Sequence, residues 1–109
     1  MNPGYKYQTQ PSQPQPIVLY VDLEGGPFPN ASVVSVTYVV DSEGAEYTFN
    51  TYNPAVLTYG NRSHLKFEVY GPSSLTLTEP KFGGRFVITW KTDTSAQSAS
   101  NSMECVLYP

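Results

Sequence analysis

The sequence predicts an all-β chain: a single antiparallel β-sandwich of immunoglobulin-like or jelly-roll type with an extended N-terminal arm. Three observations carry this expectation. Residues 32–52 read SVVSVTYVV, DSEG, AEYTFNTY, so apolar and polar positions alternate with a period of two on either side of a turn. Turn signals such as Gly25-Gly26, Asn53-Pro54, Gly60-Asn61, Gly71-Pro72 and Gly83-Gly84 recur about every ten residues. No stretch carries the period of an amphipathic helix. Roughly seven or eight short strands result, which suits either sandwich topology.

The hairpin within residues 32–52 is the centre of the expected fold. Val34, Val36, Tyr38 and Val40 share one parity. If residues 41–44 form the turn, Val40 faces Ala45, Tyr38 faces Tyr47 and Val36 faces Phe49, which brings both apolar sets to one face. A slip of one residue would move Tyr47 and Phe49 to the other face, so burial fixes the register.

Two units are expected in chain order, an arm of residues 1–16 and a sandwich of residues 17–109. The arm places Pro3, Pro11, Pro14 and Pro16 among glutamines, with Tyr5 and Tyr7 ahead of most of them. Each proline removes a donor and restricts the residue before it, which excludes a helix or a central strand. In polyproline geometry such a segment reaches on the order of 50 Å. Tyr5, Tyr7, Pro11, Pro14 and Pro16 are the expected anchors on a neighbouring subunit.

Ile17, Leu19, Val21 and Leu23 alternate with Val18, Tyr20 and Asp22 as a first strand. After the central hairpin, Asn53-Pro54 reads as a turn and residues 55–59 as a short edge strand. Leu65, Phe67 and Val69 mark a further strand, and residues 75–78 (LTLT) another. Phe86, Ile88 and Trp90 alternate with Val87 and Thr89 in the clearest strand after the hairpin. Residues 92–102, TDTSAQSASNS, carry one charge and no periodicity, so a long loop is expected there, as a contact loop or a mobile one. A last strand over residues 103–108 puts Cys105 and Leu107 on one parity.

Composition narrows the function classes. Among 109 residues only 14% are charged, against roughly 25% in ordinary soluble proteins. Nine tyrosines then supply amphipathic contact area, which suits a protein that sits against a partner. The net charge is −3 and the six basic residues are scattered, so direct nucleic-acid binding is not expected. A single cysteine excludes an intrachain disulfide. The first sixteen residues lack an apolar signal core and a cleavage site, and no stretch approaches ~18 apolar residues, so neither secretion nor a membrane is expected. On the same ground the sequons at Asn30 and Asn61 are expected to go unused.

Chemistry finds little support. His64 follows Ser63, but neighbours on a strand point to opposite faces, and no nucleophile elbow is present. One histidine and one cysteine do not make a zinc site. Asp22 with Glu24, and Asp41 with Glu43, are acidic pairs beside turns that could offer oxygens to calcium, although solvated turn acids are the simpler reading. No catalytic residue, metal or cofactor is therefore expected, and the chain is expected not to be an enzyme. Trp90 shares parity with Phe86 and Ile88, which favours a core position over a sugar platform. The segment FVITWKTDTS, residues 86–95, resembles the closing strand of CUB domains. The paired cysteines and the glycine–aromatic ending of that family are missing, so the resemblance implies nothing about ligand or site residues.

The expected role is a structural component of a larger assembly, most concretely a capsid decoration or cement protein at the surface of a virus or phage particle, cytoplasmic before assembly. Its partners would be other protein subunits, as a homo-oligomer or bound to a lattice. The alternative is a carbohydrate-binding or adhesion module of a surface or tail-fibre protein. Exposure separates the two: aromatics exposed on a sheet face favour sugar binding, and an arm docked on another subunit favours assembly.

Overall fold

A computed structural model of the chain describes residues 6–8, 17–72, 74, 75 and 77–108. Among the described residues the strands are β1 (Lys6–Gln8), β2 (Ile17–Leu23), β3 (Ser32–Val40), β4 (Ala45–Tyr59), β5 (Arg62–Tyr70), β6 (Gly84–Lys91), β7 (Ala99–Glu104) and β8 (Val106–Tyr108). Six of them form one antiparallel sheet in the order β2-β5-β4-β3-β6-β7, curled into a half-barrel. β1 and β8 form a separate parallel pair, so the architecture is not purely antiparallel.

The central hairpin has the expected register. Val36 faces Phe49, Tyr38 faces Tyr47 and Val40 faces Ala45, across a tight turn at Asp41–Glu43 closed by Gly44 at φ 64°. Burial of the apolar face selects this pairing. Val36, Tyr38, Val40 and Phe49 are buried with Phe86 and Ile88 from β6. Leu19, Val21, Leu65 and Phe67 face them from β2 and β5, so the core fills the concave side of the curl.

Several sequence expectations are corrected. First, Asn53-Pro54 is a bulge and not a turn, so β4 runs through it as one strand. Asn53 takes φ 54° and Pro54 has no N–H to leave unpaired, which lets the extra residue sit in the ladder. Residues 45–49 of β4 pair with β3 and residues 50–59 pair with β5, so residues 55–59 are part of β4 and not a separate strand, with β5 as their ladder partner. Second, an irregularity between Val33 and Ser35 breaks the parity of β3. Val34 is therefore exposed, while Val33 packs against the core.

Third, no strand is assigned to the described part of residues 75–78. Leu75 N–H donates to the Pro72 carbonyl in a turn, and Leu75 and Leu77 are buried without joining a ladder. Fourth, the expected loop of residues 92–102 ends early, because Ala99–Glu104 pairs with β6 from Trp90 to Arg85. Most of β7 is exposed, so no apolar alternation marks it in the sequence. The last expected strand is broken at Cys105 into β7 and β8, with Cys105 and Leu107 both buried as their shared parity requires.

One buried contact ties these layers. The Tyr38 hydroxyl donates to the Cys105 carbonyl at 2.7 Å, and the Cys105 N–H donates to the Gly84 carbonyl at 3.2 Å. Tyr38 packs edge-on against Phe86 with centroids 5.1 Å apart, and Phe86 packs the same way on Phe49 at 5.0 Å. A Cβ on Gly84 would lie inside the Tyr38 hydroxyl, so a residue without one is required there. Burial pushes the Tyr38 phenol well above its ordinary range, with the nearby Cys105 sulfur adding to the shift, and burial pushes the Cys105 thiol up to about 12.

Candidate ligand-binding face

The convex side of the β2-β5-β4 half carries the most distinctive surface among the described residues. Residues that pair across strands share a face, and the registers set out the rows. Tyr70 is opposite Asn50, Glu68 lies between Val18 and Tyr52, and Lys66 lies between Tyr20 and Ala55. His64 lies between Asp22 and Leu57, and Arg62 is opposite Tyr59. All of these are opposite in parity to the buried Leu65, Phe67 and Val69, so all point outward.

Four tyrosines therefore stand on one face. Tyr20, Tyr52 and Tyr59 are 45%, 46% and 63% exposed, values far above those of the core aromatics. At one end Tyr52 and Tyr70 meet edge to face with centroids 5.2 Å apart. The bulge aims Asn53 beside them, where its amide donates to the Glu68 carboxylate at 3.4 Å. At the other end Tyr59 and His64 meet edge to face at 5.5 Å. Asp22 there accepts from Arg62 at 2.6 Å and lies 3.9 Å from His64 Nδ1. Each end thus combines an aromatic pair with polar groups already held by one another.

The seam between the two sheet edges is the other candidate, and Tyr20 and Asp22 of the outer face also border it. Tyr20 from β2, Ile88 from β6 and residues 100–103 of β7 line a groove of about 470 Å³. Asp22, Glu24, Trp90 and Asn101 line a second of about 310 Å³. Trp90 packs against the core as its parity predicts, and its buried Nε1 has no hydrogen-bond partner among the described residues. Ser100, Asn101 and Ser102 supply the β7 side of this lining, and the seam holds less exposed aromatic surface than the outer face.

The residues singled out from sequence are dispersed. Tyr7 lies in β1, in register with Leu107. Tyr5, Pro11, Pro14 and Pro16 fall outside the described residues. Ser63 and His64 point to opposite faces as expected: Ser63 is buried, and its Oγ accepts from the Phe28 N–H at 2.9 Å. The acids expected to be simply solvated are partly paired. Asp41 lies 3.3 Å from Arg85, Glu43 lies 3.0 Å from Lys81, and Asp22 holds Arg62, so three of the four have a basic partner. The Glu43 carboxylate raises the Lys81 ammonium above its usual range by accepting its hydrogen bonds. Among the described residues, no three His, Cys, Asp or Glu side chains stand together as a metal site.

Sequence reasoning drew its site residues from the arm and assigned none to the sheet, so it missed the tyrosine row. Part of the signal was present: Tyr20 and Tyr70 oppose the buried parity of their own strands. Tyr52 and Tyr59 are seven apart, an odd spacing, and share a face only because the bulge inserts a residue between them. Comparison with protein-family models, with curated proteins and with solved structures finds no match for this chain.

Proposed function

We propose that this chain is a carbohydrate-binding or adhesion module that holds a glycan against the outer face of β2, β5 and β4. The exposed tyrosine row carries the reading. Aromatic rings offer flat apolar area to the C–H face of a sugar, and adjacent carboxylate, amide and guanidinium groups take up its hydroxyls. The tyrosines are mounted on paired strands, so little rotamer and backbone freedom is lost on binding. Migration through gels containing soluble xyloglucan, mixed-linkage glucan or galactomannan tests it. Retardation of the wild type that is lost in Tyr52→Ala supports the reading, and unchanged mobility in every polysaccharide and on a broad glycan array refutes it.

A second reading, a capsid decoration or cement protein on a virus or phage particle, draws support from the pairing of Lys6–Gln8 with Val106–Tyr108. A short strand that adds to β8 in its own chain has the chemistry to add to a β8 in a neighbouring subunit. On this reading residues 1–16 serve as the extended arm, and contact with other subunits completes the half-barrel as a sandwich. Removal of residues 1–16 would leave the sheet folded and abolish incorporation into particles. Normal incorporation of the truncated chain would remove this reading.

A further inference from the structure

We infer that the ligand of this face is a neutral, extended polysaccharide that engages both ends of β5 at once, an inference that rests on the carbohydrate-binding reading. Its basis is the spacing of two equivalent stations. The Tyr52–Tyr70 pair with Asn53 and Glu68 lies at one end of β5, and the Tyr59–His64 pair with Asp22 and Arg62 lies at the other. Tyr70 and His64 are six residues apart on one strand, which at ~3.4 Å per residue places the stations roughly 20 Å apart. A single sugar ring is far shorter than this separation, and a linear chain of several units spans it.

The ground between the stations suits a continuous chain. Ala55 and Lys66 lie there, with Tyr20 beside Lys66 on the edge strand. Ala55 and Tyr20 are exposed on either side of Lys66, and the half-buried Leu57 continues the path with apolar surface toward Tyr59. The strand residues of the face carry two carboxylates, Asp22 and Glu68, against two cations, Arg62 and Lys66. These charges cancel, and Asp22 is already paired with Arg62, so the face selects for neither an acidic nor a basic polymer.

Two stations on one rigid sheet make binding depend on chain length. A short oligosaccharide occupies one station, whereas a long one makes its second contact from an effective concentration set by the first. Cello-, xylo- and manno-oligosaccharides from the disaccharide to the hexasaccharide are titrated by calorimetry into the full chain and into Tyr52→Ala and Tyr59→Ala, with circular dichroism confirming that both variants fold. The expected result is affinity that rises by about tenfold or more between short and long members of a bound series, and a rise that either substitution abolishes. Affinity independent of length, or a length dependence that survives in Tyr59→Ala, overturns the two-station inference and leaves the carbohydrate reading in place. Absence of binding by every member, together with unchanged mobility in the polysaccharide gels, overturns both.

Discussion

A methyl group on Gly84 should be among the most damaging single changes in this protein. Gly84 begins β6, is buried opposite Val40, and lies beneath the Tyr38 ring, where an added Cβ would occupy the position of the hydroxyl. Tyr38 has no free direction in which to yield. Phe86 and Phe49 flank its ring, and its hydroxyl is held by the Cys105 carbonyl. Overpacking a core costs about 1–3 kcal/mol, and displacing the hydroxyl removes a buried hydrogen bond at about 1–2 kcal/mol. The smaller unfolded-state entropy of alanine returns about 0.5 kcal/mol. Gly84→Ala should thus lose about 2–4 kcal/mol, a large share of the roughly 5–15 kcal/mol typical of a domain. For a domain of this size that is a fall in melting temperature of roughly 10–20 °C. Tyr38→Phe alone should cost about 1–2 kcal/mol, and Gly84→Ala should cost less in that background than in the wild type, because the hydroxyl it strikes is gone. Thermal and urea denaturation of the four proteins of this cycle give both quantities. A Gly84→Ala protein that melts within about 2 °C of the wild type would refute the packing argument.

Other outcomes follow from the same interior. Cys105 and Tyr38 keep their protons in the folded chain at pH values where the unfolded chain has lost them, because burial raises both. The unfolded state therefore binds fewer protons above about pH 9, and stability should fall as pH rises from there toward 12, with Cys105→Ala flattening the first part of the decline in melting temperature against pH. The buried Cys105 thiol should resist maleimide labelling at pH 8 under native conditions and react at once in denaturant, as mass spectrometry would record. Phe67→Ala in the fully buried core should cost about 3–5 kcal/mol in urea unfolding, whereas Tyr52→Ala on the outer face, which loses the edge-to-face contact with Tyr70, should cost about 1 kcal/mol or less. Asp22→Asn, which breaks a half-exposed ion pair with Arg62, should cost less than about 1 kcal/mol and less still in high salt.

The β class, the central hairpin and its register were legible because burial of Val36, Tyr38, Val40 and Phe49 leaves a period-two trace that a one-residue slip would destroy. Legibility ended where that trace ends. β7 presents serine, asparagine and alanine to solvent and reads as a loop, since only its backbone ladder to β6 makes it a strand. LTLT has the alternation of a strand, and both of its leucines are buried, yet local pattern carries no information on whether a ladder partner is available. Bulges are the third limit. The irregularity at Val33 and Ser35 reverses the parity of Val34, and the one at Tyr52 and Ala55 brings Tyr59 onto the face of Tyr52. The candidate site depends on the second of these, so its two ends could be named from sequence only with the pairing partner of β4 already known.

The change of partner along β4 also bears on how this protein could diversify. The strand gives residues 45–49 to the half that contains the packed cluster of Tyr38, Phe49 and Phe86, and residues 50–59 to the half that displays the tyrosines. Stability determinants and surface determinants thus occupy separate stretches of one strand. Replacement of Tyr52, Tyr59 or Asn53 alters what the surface can hold while the aromatic cluster stays packed, and lengthening or deleting the bulge would rotate one end of the face against the other in a single genetic step. If the face binds as proposed, its specificity can change through one or two residues that lie outside the aromatic cluster, so the face can be varied independently of the interior that supports it.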